Sequence, residues 1–294
     1  MTATERWPDQ PRMLLSYAYA SKMDAAAFAS LSGVDLVIDS GAFTAWTSGK
    51  PINHRAYLDW LDQHKRHMRF AFALDVINDW RSSARNYDTA VERMGDTVLI
   101  VPTWHIGSPV AELDRLCRVA KYVSIGGAVA RFRQQQMLMR QFIQVHKIAR
   151  KYGTSLHGLG ITSTDALRKL PWASCDSSSW TIPRRMPMVY LANRDGRLVS
   201  FTYGQPVPPH YVPLVRAYGG DPLAMAQYGY SSTKHVGPEL AKARTDWATV
   251  ASARAYMRVE AAQQVRNPGF RLYLAASPSN REPITAHKMG PPRA

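Results

Sequence analysis

The sequence has few cysteines and no clustered histidines, and both shortages restrict its chemistry. Cys117 and Cys175 are the only two cysteines in 294 residues. Two thiols are too few for a disulfide framework or for a zinc site built from three or four thiolates. The nine histidines include no His-x-His or His-Glu-x-x-His pair, which are typical spacings of metal ligands. We therefore predict neither a metal site nor a cofactor.

Long apolar runs and common nucleotide-binding motifs are also missing. No apolar run is long enough to span a bilayer, and residues 1–11 lack the apolar segment of a secretory signal. A cytoplasmic location is the resulting expectation. The sequence contains no GxGxxG turn and no GxxxxGK[ST] loop, which are the signatures of dinucleotide-binding and phosphate-binding folds.

Acidic residues are outnumbered by basic ones, and this imbalance indicates a polyanionic partner. The chain has 37 Lys and Arg against 22 Asp and Glu, a formal net charge of +15. Such an excess favours nucleic acid first and an anionic membrane second. The basic residues are spread along the chain rather than gathered in one amphipathic segment, and this distribution suits a broad nucleic-acid surface better than a membrane anchor.

Short apolar segments alternate with helical ones from residue 12 to residue 176, which predicts a parallel α/β sheet. The repetition favours a closed (β/α)8 barrel of the TIM type over an open sheet. The predicted strands cover 12–19, 36–38, 69–76, 97–102, 122–125, 155–159 and 172–175.

Beyond Asp176 the alternation stops, and we predict a C-terminal helical and irregular extension of the same domain, which would span 1–276. A hairpin is expected around Asp195-Gly196, a typical turn pair. The predicted segments are this hairpin at 188–203, an irregular insertion at 204–237, a long basic helix at 238–267, a last strand at 270–276 and a disordered tail at 277–294.

Three acids end three separate predicted strands, namely Asp39, Asp75 and Asp176. The strand ends of a barrel converge on one mouth, so these carboxylates could share a pocket. For any one of them, capping of the next helix is the simpler interpretation. Three acids together with Gly126-Gly127, where a planar ligand could lie against exposed peptide groups, favour catalysis. A tight turn between strand and helix is the alternative explanation of the two glycines.

Five short motifs at these strand ends resemble those of the tRNA-guanine transglycosylases, and they occur in the family's order. The resemblance covers roughly residues 14–201. The motifs are Asp39-Ser40-Gly41-Ala42-Phe43, Leu74-Asp75, Ile125-Gly126-Gly127-Ala128-Val129, His157-Gly158-Leu159-Gly160-Ile161 and Ser174-Cys175-Asp176-Ser177.

The resemblance implies a barrel that exchanges one nucleobase for another. Asp176 would be the nucleophile that attacks C1′ of a guanosine, and Asp39 would handle the proton of the departing and incoming base. Asp75 would accept hydrogen bonds from the base. Phe43 would stack on the base, and the backbone of Gly126-Gly127 would bind its carbonyl edge. The remaining substrate-binding residues implied are Ser40, Gly41, Ala128 and Gly160.

The chain departs from the tRNA enzymes in two ways. It cannot build their zinc site of three cysteines and a histidine, and it has no room for an appended RNA-binding domain. It looks closer to the compact phage-type DNA-guanine transglycosylases, which lack zinc and insert 7-deazaguanines into DNA. The expected partners are therefore duplex DNA and a 7-cyano- or 7-aminomethyl-type 7-deazaguanine, in a host cytoplasm if the protein is phage-encoded.

Contacts with DNA are predicted for two regions of the extension. Its candidate basic residues are Arg184, Arg185, Lys242 and Arg244. The insertion also carries Tyr211, Tyr218, Tyr228 and Tyr230, which could stack on bases or pack as a structural loop.

Three other functions remain open at this point. One is a tRNA-guanine transglycosylase with the same chemistry. Another is a non-catalytic nucleic-acid-binding barrel, which would need neither Asp39 nor Asp176. The last is a barrel enzyme for a small molecule, for which a charge of +15 is awkward.

Overall fold

The computed structural model describes residues 7–24, 28, 30–128, 134–227, 238–277 and 281–292. The chain divides into two compact units. The barrel unit comprises 12–177 and 275–279, and the second unit comprises the described parts of 1–11, 178–274 and 280–294. Residues 178–274, which the sequence assigned to one domain with the barrel, thus group with the two chain ends.

The barrel unit alternates strands with helices, as the sequence predicted. Its strands are β1 (Arg12–Ser16), β2 (Asp35–Asp39), β3 (Phe70–Phe72), β4 (Ile100–Val101), β5 (Thr103–His105), β6 (Tyr122–Gly126), β7 (Ser155–Gly158) and β8 (Ser174–Ser177). Its helices are α1 (Tyr17–Ala20), α2 (Ala42–Ser48), α3 (His54–His64), α4 (Trp80–Met94), α5 (Val110–Val119), α6 (Gln135–Tyr152) and α7 (Thr164–Lys169), with a 3-10 turn at Lys65–His67.

The strands form a parallel, nearly closed, barrel-shaped sheet, which confirms the predicted α/β class. The nine strands follow the order β4-β3-β2-β1-β11-β8-β7-β6-β5, where β11 is Arg271–Ala276. Only Pro102 separates β4 from β5. β4 pairs with β3, and β5 pairs with β6. Proline has no N–H to donate, so the ladder is interrupted there. The strand predicted at 97–102 is observed as the shorter β4, and Thr103–His105, which was predicted to follow that strand, forms β5.

The helices of the barrel unit are amphipathic and bury one stripe each. Helix α6 buries Leu138, Phe142, Val145 and Ala149, which recur at the three- and four-residue spacing of one helical face. Helix α4 begins at an Asp79 cap whose carboxylate accepts from the N–H of Ser82, as expected for a residue that satisfies an unpaired amide at a helix start. Arg131 and Arg133, which were predicted to lie in the long helix, are outside the described residues.

Asp35 starts β2 and anchors an ion cluster at the opposite end of the strands from the three acids. Its Oδ1 accepts from Nε of Arg69 at 2.6 Å, and its Oδ2 lies 3.4 Å from Nε of Arg12. The side chains of Asp35 and Arg12 are buried. A buried carboxylate needs such partners, because an uncompensated charge is costly away from water.

The second unit contains the predicted hairpin and long helix. Strands β9 (Met188–Ala192) and β10 (Leu198–Thr202) pair antiparallel, and Gly196 in their turn has φ +73°. Its Cα lies so close to Ala262 that a Cβ there would be 2.5 Å from the Ala262 methyl group. The hairpin therefore packs directly on α10 (Pro238–Gln264), as only glycine at the turn permits.

Two parts of the extension differ from their prediction. The insertion predicted to be irregular contains a 3-10 turn at Pro209–Tyr211 and helices α8 (Val212–Ala217) and α9 (Pro222–Gln227); Tyr228 and Tyr230 lie outside the described residues. The tail predicted to be disordered contains α11 (Glu282–Lys288). Burial of Pro283 and Ala286 gives this short helix a packed face that its polar composition concealed.

The end of the chain is also held by α10. Nε of Arg254 donates to the carbonyl oxygen of Gly290, and a guanidinium nitrogen of Arg258 donates to that of Pro292. α10 is the longest helix of the described residues, but neither it nor any other helix among them is both long and apolar enough to cross a membrane.

Candidate active site

Asp39 is the last residue of β2 and begins a turn that is built on glycine. Its Oδ2 accepts from the N–H of Gly41 at 2.9 Å, and Gly41 has φ +84°. A Cβ at Gly41 would lie 3.1 Å from the Ser16 hydroxyl and 3.2 Å from the Ala18 methyl group. Glycine is required here both by this close approach and by the left-handed backbone.

Asp75 follows β3 and is fixed by two side chains from neighbouring strand ends. The buried Ser40 hydroxyl donates to its Oδ1 at 3.0 Å, and Nε2 of His105 lies 2.7 Å from its Oδ2. The loop around Asp75 is held as well, since Asn86 donates to the carbonyl oxygen of Leu74. The carboxylate is thus preorganised, and each oxygen retains a second lone pair for a ligand.

Asp176 lies inside β8 rather than after it, because the observed strand is Ser174–Ser177 and not the predicted 172–175. Its Oδ1 accepts from the N–H of Gly160 at 2.8 Å and lies 3.3 Å from Nε2 of His157. Gly160 reaches this position in the turn after β7 with φ +65°. Two contacts on one oxygen fix the orientation of this carboxyl group.

The three carboxylates are close enough to influence one another. The pKa of Asp39 is raised from 3.8 to about 7, first by desolvation and then by the negative charges of Asp75 and Asp176, against the lowering effect of hydrogen bonds from Gly41 and the Ser16 hydroxyl. Tyr57, whose hydroxyl donates to the carbonyl oxygen of Phe72, has its pKa raised by burial and then by Asp39 and Asp75. Asp39 thus lies in a setting that opposes its ionisation, beside two carboxyl groups that are held by hydrogen-bond partners.

The predicted pair Gly126-Gly127 lies at the end of β6. It is next to the Asp75 cluster, which consists of Asp75, Ser40 and His105. A Cβ at Gly126 would lie 3.1 Å from both Nδ1 and Cε1 of His105. Gly127 follows with φ +81°, and Ala128 is buried. The absence of a side chain at Gly126 is what allows the His105 ring to lie against this strand end. Val129 is outside the described residues.

Phe43 is exposed on the first turn of α2 and has a second aromatic ring beside it. Phe43 is 64% exposed and Trp46 is 58% exposed, and their ring centroids are 6.0 Å apart. Exposure of two large rings is unusual unless they meet a partner. The pair offers the flat apolar faces on which nucleobases stack.

The four predicted phosphate-binding residues have different surroundings in the second unit. Arg184 forms an ion pair with Glu282, and Arg244 is only partly exposed. Arg185 and Lys242 are exposed. Tyr218, one of the predicted stacking residues, is buried and its hydroxyl bonds to the backbone of Ala192, so it packs in the core of that unit instead.

The sequence interpretation missed four residues of this site, namely Tyr57, His105, His157 and Ser174. His157 lies in a predicted strand and His105 follows one, but this position alone does not mark a histidine as the partner of an acid. Their pairing with Asp75 and Asp176 depends on strand register, for example the pairing of His157 with Ser174 across β7 and β8.

Across the part of the chain that the structure describes, no group of three or more His, Cys, Asp or Glu side chains is arranged to hold a metal ion. Cys117 and Cys175 are both buried, on α5 and β8, so the residues present do not fit a thiolate zinc site.

Comparisons of the chain with protein-family models, with curated proteins and with solved structures found no match.

Proposed function

We propose that the chain is a DNA-guanine transglycosylase that replaces guanine in DNA with a 7-deazaguanine. The observation that carries this proposal is that three aspartates with different hydrogen-bond partners lie close together. Asp39 has a pKa raised to about 7, which suits an acid/base residue. Asp176 is held on one oxygen by the N–H of Gly160 and by Nε2 of His157, which suits a positioned nucleophile.

In the first half of the reaction, a carboxylate oxygen of Asp176 forms a bond to C1′ of the target nucleotide. The glycosidic bond between C1′ and the ring nitrogen breaks, and the electron pair leaves with guanine. Protonated Asp39 transfers its proton to the departing base, which becomes neutral guanine. A covalent glycosyl ester of Asp176 remains.

The second half reverses these steps with another base. Ionised Asp39 removes the proton from the ring nitrogen of the 7-deazaguanine, which then attacks C1′ and releases Asp176 as a carboxylate. Asp39 is protonated again, so the cycle closes without an external proton. A pKa of about 7 suits a group that must donate and accept a proton at neutral pH.

Base recognition is assigned to the Asp75 cluster and the exposed rings. The Asp75 oxygens, held by Ser40 and His105, would accept from N1–H and the exocyclic amine of a guanine-type base. Ser40, Gly41, Gly126, Gly127, Ala128 and Gly160 would shape the pocket. Phe43 would stack on the base, which must be extruded from the duplex to reach the acids.

The fold proposed for this function is a (β/α)8 barrel. If β4 and β5 are counted as one strand interrupted at Pro102, the nine strands become eight. β4, which precedes that proline, pairs with β3, and β5, which follows it, pairs with β6. The acids then lie at the carboxyl ends of β2, β3 and β8, where barrel enzymes carry their sites.

DNA is preferred to tRNA as the polymer for two reasons. The cysteines do not fit the zinc site of the tRNA enzymes, and the overall look of the sequence is closer to the compact phage type. The proposed location is the cytoplasm, where both substrates would meet the enzyme. Arg185 and Lys242, which are exposed, are the better candidates for phosphate contacts among the four basic residues.

Substitution of the nucleophile tests the proposal. Asp176→Ala should abolish incorporation of labelled 7-deazaguanine into DNA and leave DNA binding within about twofold, because the covalent step needs the carboxylate. Wild-type protein should also form a covalent DNA adduct that the variant lacks. Asp165→Ala, which removes an exposed aspartate of α7, is the matched control and should exchange normally.

Other outcomes would favour the alternatives. Label entering tRNA and never DNA would make the protein a tRNA-guanine transglycosylase. Tight binding of nucleic acid by the wild type without any exchange or adduct would favour a non-catalytic binding barrel. Comparable exchange by Asp176→Ala would remove Asp176 from its role.

A further inference from the structure

We infer that His157 is a positioning residue that orients the Asp176 carboxylate through a buried chain of hydrogen bonds. The chain runs from Tyr122 through Ser174 and His157 to Asp176. The catalytic part of this inference rests on the proposed function, because it assumes that Asp176 is the nucleophile. The geometric part concerns the hydrogen position on one ring and can be tested without any activity.

This chain of hydrogen bonds crosses three adjacent strands of the barrel unit. The Tyr122 hydroxyl contacts Oγ of Ser174, and this Oγ lies 2.5 Å from Nδ1 of His157. On the other side of the ring, Nε2 lies 3.3 Å from Oδ1 of Asp176. Tyr122 and Ser174 are the first residues of β6 and β8, so the chain leads from the strand starts to the acidic end.

The surroundings of His157 leave no solvent to replace these partners. Its side chain is 0% exposed, and the rings of Phe72 and Phe70 lie against it at centroid distances of 4.8 and 6.3 Å. A buried polar ring between apolar ones is costly unless its nitrogens are hydrogen-bonded. A histidine at this place in the interior therefore needs both Ser174 and Asp176.

The carboxylate oxygens of Asp176 determine the direction in which the hydrogen bonds of this series are donated. An ionised carboxylate can only accept, so the Nε2 atom that faces it must carry a hydrogen. In the neutral ring Nδ1 is then an acceptor, which the Ser174 hydroxyl fills as donor, and the Tyr122 hydroxyl can donate to Ser174 in turn. Each group thereby determines the hydrogen position of the next, and the last donor points at Asp176.

This arrangement assigns different tasks to the two oxygens of Asp176. Gly160 N–H and His157 Nε2 both lie on Oδ1, so Oδ2 is the oxygen that would attack C1′. The two donors hold the carboxylate plane during the attack. They also stabilise the negative charge that returns to Asp176 when the second base displaces it, and so assist the breakdown of the covalent ester.

A variant series separates this role from simple packing. His157→Leu keeps an apolar side chain of moderate size but removes the donor, and kcat should fall about 10- to 100-fold, as for other groups that orient a catalytic residue. KM for the base should change less than about twofold, because the interaction acts on the nucleophile and not on the base. His157→Gln places an amide donor near the position of Nε2 and should restore part of kcat, whereas His157→Asn, which is too short, should not.

The matched control is Ser124→Ala. Ser124 is a buried residue that pairs with His157 across β6 and β7. Its hydroxyl bonds to Thr103 and to the carbonyl oxygen of Pro102, and not to a member of the hydrogen-bond chain. It should lose some stability and keep kcat. If His157→Leu and Ser124→Ala lose activity only in proportion to their stability, or if Gln rescues no better than Asn, the positioning role is wrong.

Nitrogen-15 NMR of labelled histidine tests the geometry independently of activity. The His157 signals, assigned by their loss in His157→Gln, should show a slowly exchanging hydrogen on Nε2 that shifts in Asp176→Ala. A neutral ring with its hydrogen on Nδ1 would overturn the inference even in an active enzyme. If the wild type exchanges no base while Nε2 carries the hydrogen, the proposed function fails but the hydrogen-bond chain stands.

Discussion

Asp39, Asp75 and Asp176 have the same side chain, and their neighbours give each a different state. Burial and two nearby negative charges raise the pKa of Asp39 to about 7, although its one backbone donor acts in the opposite direction. Asp75 is held between a serine and a histidine. Asp176 takes both of its donors on one oxygen. At this scale, three identical side chains differ through burial, nearby charge and hydrogen-bond partners at distances of about 3 Å.

Asp39→Asn should stabilise the protein above pH 7 and inactivate it. Between pH 3.8 and about 7 the native state holds a proton that the unfolded chain has released, so the wild type loses stability as pH rises through this range. Asparagine has no charge to desolvate, and the free energy of unfolding should increase by up to about 4 kcal/mol above pH 7. Urea unfolding at pH 4 and pH 8 measures the effect.

The control for this experiment is Asp96→Asn at an exposed position, where a substitution should change stability by less than about 0.5 kcal/mol. Base exchange by Asp39→Asn should fall at least about 100-fold, because the amide cannot shuttle a proton. A variant whose gain in stability is equal at pH 4 and pH 8 would show that Asp39 is not protonated in the native state near neutrality.

The acids could be predicted from sequence and their histidine partners could not. Asp39, Asp75 and Asp176 each stand beside a short apolar run, which marks them as strand-end residues. His105 and His157 carry no comparable mark, because a histidine in a strand becomes a partner only through the register of the neighbouring strand. That register is set by the closure of the sheet, for example by the pairing of Thr103 with Ser124.

Among the helices and strands, some could be predicted because they depend on local sequence, and others could not because they depend on distant parts of the fold. The hairpin at Asp195-Gly196 was predictable because its turn chemistry is local. The interruption between β4 and β5 at Pro102 could not be predicted locally, because it depends on the pairing of β4 with β3 and of β5 with β6. Helices α8, α9 and α11 were missed because each has seven residues or fewer, and helices of this length depend on tertiary packing rather than on their own propensity.

At the scale of the sheet, the Asp35 cluster should contribute strongly to stability. Asp35→Ala removes a carboxylate whose side chain is 1% exposed and deprives the buried Arg12 of its counter-charge. Breaking such a pair from one side should lower the free energy of unfolding by about 3–5 kcal/mol. Guanidinium chloride unfolding monitored by circular dichroism measures this loss.

A surface ion pair of the same kind provides the comparison. Asp59 pairs with Arg93 where both side chains are substantially exposed, so Asp59→Ala should cost less than about 1 kcal/mol. Equal effects of the two substitutions would show that the Asp35 cluster is open to water. Because Asp35 lies at the opposite strand ends from the acids, exchange activity per folded molecule should be unchanged.

The whole molecule carries a net charge of +15, and this charge should make binding of duplex DNA strongly salt-dependent. Each phosphate that a basic residue contacts releases condensed counterions, so the logarithm of affinity falls linearly with the logarithm of salt concentration. Arg185→Gln and Lys242→Gln, at exposed positions, should each lower the slope by about one if the residue contacts a phosphate, without changing which base is exchanged.

The control must remove a positive charge that already has a partner. Lys151 lies 3.5 Å from Asp114, which also pairs with Arg118, so Lys151→Gln removes charge without removing an available cation and should leave the slope nearly unchanged. Fluorescence anisotropy with one duplex over a range of potassium chloride concentrations measures all three slopes. If the three variants reduce affinity equally at low salt and share the wild-type slope, only the net charge acts, and Arg185 and Lys242 are not phosphate contacts. A slope reduced in Arg185→Gln and Lys242→Gln alone would place the DNA backbone at these two residues.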